Sequence, residues 1–279
     1  MSAGAGERLA RLDRRLIFLL MGLVVLVPLL VPIDLPVVVS EETRDFYREI
    51  ESLSDGAVLM LAVDYEPDTM AELDPMTLAV LRHAFRRGVR VVALSLYPGA
   101  PGIAQRLLTR AAGEYGMTYG EDYVYLGYNP DWSGTMLRLG ESIRATYPKD
   151  QWGTATRDLP LMAGVDSYED VDLLVSINGS KYAEYWAAYA QARYGQRMVS
   201  GNTAVMAVFI YHYYNTGQIS GFLAVIRGAA EYEKLVGLPG DGTIAMGSQS
   251  CGHLLIVILI VLGNAGYLAA RRRGTGGRA

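Results

Sequence analysis

The sequence contains few residues that bind metals or form disulfides. It has one cysteine and three histidines among 279 residues. The single cysteine, Cys251, excludes an intrachain disulfide, and we expect it to act as a small apolar residue near a membrane edge. No two histidines share i, i+4 spacing, and His83 lies in an arginine-rich predicted helix where it should be solvated, so we expect no metal site. The histidines are His83, His212 and His253.

The sequence also lacks the motifs that bind nucleotides or activate a catalytic serine. No G-x-G-x-x-G follows the first predicted strand; Asp64-Tyr65-Glu66-Pro67 stands there, and its acidic side chains would repel a pyrophosphate. Neither G-x-x-x-x-G-K-[ST] nor G-x-S-x-G occurs. Gly99-Ala-Pro-Gly102 precedes a predicted helix, but a Pro-Gly turn explains it equally well. We therefore expect no cofactor and do not favour an enzyme, although a triad assembled in space stays open.

Charged residues are sparse, at 19% of the chain, and positive charge is concentrated at the two ends. The whole chain has a net charge of −4, while the first 15 residues carry +2 and the last nine carry +4, so the residues between carry −10. An acidic middle excludes nucleic acid as a partner. It also argues against a domain that lies flat on anionic lipid.

Two long apolar stretches, residues 16–33 and 253–270, stand near the ends of the chain. Each has 18 residues with no Asp, Glu, Lys or Arg, enough for a helix about 27 Å long. Arginines flank the outer end of each, which predicts that both termini are cytoplasmic and that the protein resides in a membrane. No A-x-A cleavage site follows the first stretch, so we expect an uncleaved anchor. Asn264, in the second stretch, either joins spanning helices or reaches the inner headgroups.

These features predict a linear order of segments. We expect a cytoplasmic tail (1–15), a transmembrane helix (16–33), a juxtamembrane helix and linker (34–56), an extracytoplasmic domain (57–236), a linker (237–252), a second transmembrane helix (253–270) and a basic cytoplasmic tail (271–279).

The middle of the chain alternates apolar runs with helical patterns. Strands are predicted at 57–63, 89–96, 123–126, 171–177 and 197–199, and helices at 41–53, 74–87, 103–115, 133–146 and 181–194. This alternation predicts βαβ units with a mainly parallel sheet. The expected fold class is α/β, a three-layer Rossmann- or flavodoxin-like domain with one transmembrane helix at each terminus.

Residues 203–236 allow two interpretations. Residues 203–214 are nearly all apolar or aromatic, and 217–236 reads as a further helix. We favour a last core helix followed by a packing helix. The alternative is a helix on the membrane surface, which its tyrosines would suit.

Polar residues follow several predicted strands. Because ligands of open parallel sheets bind beyond the carboxyl ends of the strands, these residues are candidates to line a ligand site. Ordinary turns and N-caps explain the same residues without a ligand. The candidates are Asp64, Tyr65, Glu66, Ser95, Tyr97, Asn178, Gly179, Ser180 and Asn202.

An aromatic stripe marks the predicted helix 181–194. Tyr182, Tyr185, Trp186 and Tyr189 stand at i, i+3, i+4 and i+7. We favour packing of this stripe on the sheet. Alternatively, the alanines of this helix pack on the sheet and the aromatic residues, with Asn264 in the second span, form interfaces with partners.

The sequence leaves the activity open between three classes. We expect a membrane-anchored extracytoplasmic scaffold or accessory subunit that forms a homo-oligomer or joins other membrane subunits. The alternative is a small-molecule-binding sensor or solute-binding accessory that uses the strand ends. A hydrolase built on Ser95 or Ser180 is less favoured because no motif supports it.

Overall fold

The computed structural model describes residues 13–33 and 36–275. Within these ranges it describes the side chains up to residue 268 and the side chain of Arg271. The tail predicted at 1–15 therefore lies outside the described residues except for positions 13–15, as do positions 34 and 35 of the predicted linker. In the tail predicted at 271–279, positions 271–275 are helical and the rest lie outside the described residues. Two compact units divide the chain, Met1–Pro36 with Ile244–Ala279 and Val37–Thr243.

The first unit contains helix α1 (Arg14–Leu30) and most of the long helix α11 (Asp241–Thr275). Helix α1 has 17 residues and ends before the extended Val31, because Pro32 disfavours a helical conformation in the preceding residue. Among the described residues, one helical segment, Asp241–Leu268, is long and apolar enough to cross a membrane. The expected transmembrane helix 16–33 is therefore corrected to a shorter helix, and 241–252, expected as part of a linker, is helical.

The two helices of this unit pack through small residues. Ser248 Oγ donates a hydrogen bond to the carbonyl oxygen of Val25 at 2.7 Å. Gly252 also faces Val25, where an added Cβ would lie 3.5 Å from a methyl group. Apolar side chains remain exposed on both helices, such as Leu26 on α1 and Val257 on α11. An apolar outer surface of this kind is typical of helices that reside in lipid.

The second unit is an α/β domain built on six parallel strands in the order β3-β2-β1-β4-β5-β6. This order is that of a Rossmann-like fold, which confirms the α/β class and the parallel sheet. The strands are β1 (Val58–Asp64), β2 (Arg90–Ser95), β3 (Tyr123–Tyr128), β4 (Leu173–Asn178), β5 (Met198–Asn202) and β6 (Phe222–Ala224). The helices are α2 (Glu41–Glu51), α3 (Met70–Arg86), α4 (Pro101–Tyr115), α5 (Trp132–Arg138), α6 (Ile143–Thr146), α7 (Tyr182–Trp186), α8 (Ala192–Tyr194), α9 (Ala204–Asn215) and α10 (Val225–Val236).

Helices cover both faces of the sheet. Met60 and Ala62 of β1 belong to a core cluster with Trp186 of α7 and Ile210 of α9. Alternate residues of a strand face the other side, where Tyr65 bonds to side chains of α3. Helix α2, expected as a juxtamembrane helix, is part of this domain because its apolar side chains are buried in the core.

Several predicted elements differ in the structure. Helix 133–146 is interrupted at Gly140 and gives the short helices α5 and α6. Helix α3 begins at Met70, so Asp74 is not its N-cap and Pro75 lies inside the helix. The segment predicted as helix 217–236 contains strand β6 before α10, and three residues are too short to show a strand period. Val225, the first residue of α10, has a φ of 59°, which is unusual for a β-branched residue.

Candidate functional site

A crevice opens at the carboxyl ends of the strands, between β1 and β4. The strand order reverses there, because the chain runs outward to β3 on one side and to β6 on the other. Ligands of such sheets bind at this switch point. The crevice has a volume of about 70 Å³ and is lined by Asp64, Tyr65, Glu66, Asp68, Thr69, Tyr97, Gly179 and Ser180.

Six of the nine predicted ligand residues line this crevice together: Asp64, Tyr65, Glu66, Tyr97, Gly179 and Ser180. The other three, Ser95, Asn178 and Asn202, are fully buried within the sheet. The residues of β1, β4 and β5 come together because Asp64 pairs with Asn178, and Asn178 with Asn202, in the parallel register. Their role in binding stays a prediction.

Asp64 is a fully buried carboxyl group at the end of β1. Its Oδ1 accepts a hydrogen bond from the backbone N–H of Leu96 at 2.6 Å, and its Oδ2 accepts one from Trp186 Nε1 at 3.3 Å. Burial raises the pKa of Asp64 to about 7, although the surrounding N–H donors oppose this. No salt bridge to Asp64 occurs within the described part of the chain. The group therefore changes charge close to neutral pH.

A ladder of polar side chains crosses the neighbouring strands. Asn178 Nδ2 donates to Ser176 Oγ at 3.0 Å, and Asn202 Nδ2 donates to Asn178 Oδ1 at 3.3 Å. Ser200 Oγ donates a hydrogen bond to Asn202 Oδ1 at 2.7 Å. Because these side chains hydrogen-bond to each other, Asn178 and Asn202 stabilise the carboxyl ends of β4 and β5.

The side chains at the mouth of the crevice use only part of their hydrogen-bonding capacity. Tyr97 donates to Glu66 Oε1 at 3.2 Å, and Tyr65 points away to bond with Asp74 at 3.0 Å. Ser180 Oγ is buried and has no hydrogen-bond partner among the described residues. A ligand that enters the crevice would therefore meet a hydroxyl group without a partner.

The sequence did not identify the aromatic residues around Asp64. Trp186 is its hydrogen-bond donor, and the carboxyl raises the pKa values of Tyr125 and Tyr147 in addition to the larger effect of burial. Tyr125 donates to Ser95 Oγ at 3.0 Å, whereas the buried Tyr147 hydroxyl has no partner in the described structure. These residues come from separate elements, and no spacing in the sequence connects them to β1.

The aromatic stripe divides between the two interpretations made from the sequence. Trp186 is fully buried with the alanines beside it, whereas the three tyrosines are only partly buried. Tyr185 stacks on Trp132 of α5, with ring centroids 4.4 Å apart. A π-helical turn, Ala187–Gln191, follows α7 and widens the helix. Among the candidate interface residues, Asn264 is exposed on α11.

His83 is fully buried, which corrects the expectation of a solvated side chain. Its Nε2 lies 2.8 Å from Glu51 Oε2 and its Nδ1 lies 2.7 Å from the hydroxyl of Tyr232. Burial is the main cause of its lowered pKa. The prediction of a solvated His83 was wrong because its partners, Glu51 and Tyr232, lie 32 and 149 residues away in the sequence.

The part of the chain that the structure describes contains no group of three or more His, Cys, Asp or Glu residues that could hold a metal ion. Comparison with known proteins found no matching family model and no matching curated protein.

Proposed function

We propose that the chain is a membrane-anchored protein whose extracytoplasmic domain binds a small cationic ligand at the switch-point crevice. The supporting observation is the crevice itself, which combines acidic side chains, an unpartnered hydroxyl and the position where Rossmann-like folds bind ligands. This proposal corresponds to the sensor or solute-binding alternative inferred from the sequence, and it adds that the ligand is a cation.

The charge of the crevice favours a cation. Its lining includes Asp64, Glu66 and Asp68 and contains no Lys or Arg. Such a surface attracts an ammonium group and repels phosphate, in agreement with the missing nucleotide motifs. A volume of about 70 Å³ is well below the roughly 300 Å³ of the smallest typical drug-sized pockets, so a single small group would enter.

The titration of Asp64 would couple binding to pH. An ammonium group in the crevice would favour the carboxylate over the neutral acid and would lower the pKa of Asp64 from about 7. Binding near neutral pH would then release a proton, and affinity would rise as the pH increases through 7.

Thermal unfolding of the detergent-solubilised full chain tests the ligand class. Putrescine and methylammonium should raise the unfolding temperature, whereas inorganic phosphate and adenosine monophosphate should not. The double variant Glu66→Gln/Asp68→Asn should lose the response. The control Asp158→Asn, on an exposed turn outside the crevice, should keep it. Stabilisation by the phosphates rather than the amines contradicts the proposal.

Two anchoring helices are part of this proposal. The apolar outer surfaces of α1 and α11 and their small-residue contact support a pair of membrane helices, although α1 has only 17 residues. The flanking arginines favour cytoplasmic ends. Fluorescent-protein fusions at both termini should fluoresce, and alkaline phosphatase fusions there should be inactive. Phosphatase activity at either end contradicts this topology.

The scaffold hypothesis stays a prediction with less structural support. It rests on the two anchors, the missing catalytic motifs and the surplus of tyrosines and small residues. Of its candidate interface residues, Tyr182 and Tyr185 contact Trp132 within the domain. For a hydrolase, Ser95 is buried and bound by Tyr125, which does not favour a nucleophile. The mass of the protein in mild detergent distinguishes an oligomer from a single chain.

A further inference from the structure

Helix α9 presents an apolar face to the outside of the domain. Val205 and Val208 are each 73% exposed, and Phe209 is 54% exposed. They stand at i, i+3 and i+4 and therefore form one continuous strip. The opposite face of the helix, with Met206 and Ile210, is buried in the core. A strip of this kind is unfavourable in water and indicates a surface that is covered in the working protein.

The composition of α9 fits an apolar environment. Its 12 residues, Ala204–Asn215, include no Asp, Glu, Lys or Arg. Burial of the strip would therefore remove no permanent charge of the helix from water. Tyr211, 42% exposed beside the strip, has the ring and hydroxyl that suit a membrane interface.

Helix α9 is also close to the segment through which the chain enters the domain. Tyr211 donates a hydrogen bond to Glu42 Oε1 of α2 at 2.7 Å. Ser40, two residues earlier, donates to Glu231 on α10. Ser40 follows the apolar residues 16–33 by seven positions, an extended length of at most roughly 25 Å. If that stretch is embedded in a membrane, Ser40 lies within this distance of the bilayer, and Tyr211 of α9 is bonded to Glu42, two residues beyond Ser40.

We infer that the exposed face of α9 rests in the boundary between the headgroups and acyl chains of the bilayer. This inference rests on the membrane anchoring proposed above. The side chains of Val205, Val208 and Phe209 would enter the apolar layer, and Tyr211 would remain at the level of the headgroups.

The surrounding charges define the type of lipid surface. Glu72 accepts a hydrogen bond from the first N–H of α9, and Glu42 and Asp45 accept from its tyrosines. These carboxylates would be repelled by anionic headgroups. Burial of apolar side chains therefore drives the contact, and it should occur on neutral phosphatidylcholine bilayers without dependence on anionic lipid.

A fluorescent probe on α9 tests the inference in the full chain. Cys251 is replaced by Ser, and an environment-sensitive nitrobenzoxadiazole label is attached to Cys at position 208 or, as a control, at position 157. Arg157 is 81% exposed, in a segment whose Gln151 N–H donates to the carbonyl oxygen of Tyr125 in β3. Strand β3 is at the opposite edge of the sheet from β6. In phosphatidylcholine vesicles, the label at 208 should shift its emission to the blue and lose intensity when spin-labelled acyl chains are added. The label at 157 should show neither effect.

A second variant and an extraction control complete the test. Phe209→Asp removes apolar character from an exposed position, so it should fold and should reduce the quenching at 208. Resistance to alkaline carbonate reports the anchoring independently. A resistant chain whose label at 208 remains in water overturns the inference but leaves the anchors. A label that is buried but responds only to dilution with unlabelled protein identifies a second copy as the occupant and also overturns it. A chain that carbonate releases contradicts both proposals.

Discussion

Two regions of the domain bury carboxyl groups in different ways. At the crevice, Asp64 is fully buried and receives hydrogen bonds from backbone and indole N–H groups. On α10, Glu233 is 2% exposed, but its two oxygens accept from the N–H groups of Gly240, Gly242 and Thr243 and from the Thr243 hydroxyl. The carboxyl group of Asp64 therefore accepts few hydrogen bonds, whereas the carboxylate of Glu233 is surrounded by hydrogen-bond donors.

Helix α10 binds both segments that connect the domain to the rest of the chain. Glu231, 1% exposed, accepts from the backbone and side chain of Ser40 and from Arg227. Glu233 caps the first turn of α11. A carboxylate surrounded by donors stabilises one arrangement of the chain. Asp64 has no cationic partner among the described residues, and burial raises its pKa to about 7. In the proposed function this carboxyl group responds to protons and to a bound cation, whereas Glu231 and Glu233 hold segments of the chain together.

Loss of the Glu233 carboxylate should have the largest effect on stability. Glu233→Ala leaves three N–H groups and a hydroxyl without their acceptor, and we expect the free energy of unfolding to fall by about 4 kcal/mol. Chemical denaturation of the full chain in detergent measures it. Glu121→Ala, at an exposed turn, is the matched control and should change stability by less than about 0.5 kcal/mol. A loss below about 1 kcal/mol for Glu233→Ala would show that the cap is dispensable.

The free energy of unfolding should depend on pH because of the raised pKa of Asp64. Its pKa is about 7 in the folded protein, above the ordinary value of 3.8 expected in the unfolded chain, so between these pH values the folded chain retains a proton that the unfolded chain releases. The stability from this group is present at low pH and is lost as the pH rises to 7. Relative to Asp64→Asn, the wild-type free energy of unfolding should fall by about 2 kcal/mol between pH 5 and pH 7. A constant difference between the two proteins would contradict the assignment.

The titration of His83 should give the opposite trend of stability with pH. Its pKa is lowered in the folded state, mainly by burial and further by the charges of Arg86 and Arg87, while Glu51 opposes the shift. The unfolded chain therefore binds the proton more readily, and stability is lost as the pH falls through 6.5. His83→Gln should flatten this part of the stability curve. An unchanged slope below pH 6.5 would mean that His83 does not contribute.

Substitutions at two glycines, Gly179 and Gly113, distinguish an effect on ligand binding from an effect on stability. An added Cβ at Gly179 would lie 3.1 Å from Thr69 Oγ1, so Gly179→Ala should narrow the crevice and abolish putrescine binding while changing stability by less than about 1 kcal/mol. Gly113 lies within α4 with open space around it. Gly113→Ala should stabilise the fold by roughly 0.5–1 kcal/mol and leave binding intact. Equal binding by both variants would remove Gly179 from the site.

The sequence predicts the fold class because buried parallel strands appear as continuous apolar runs, such as residues 57–63. It also predicts residues of the crevice, since strand ends share one edge of the sheet. It does not predict the strand order or the buried state of His83, because both depend on pairings between distant segments. Tyr147 and Trp186 were not associated with Asp64 for the same reason. Strand β6 was missed because three residues carry no recognisable period.

Calorimetric titration of the full chain in nanodiscs with putrescine, in buffers of different ionisation enthalpy at pH 6, 7 and 8, tests whether the crevice binds a cation together with the ionisation of Asp64. We expect binding that tightens from pH 6 to pH 8 and releases a proton near pH 7, with no proton release by Asp64→Asn. Absence of binding, or binding accompanied by proton uptake, would contradict a cation site coupled to Asp64.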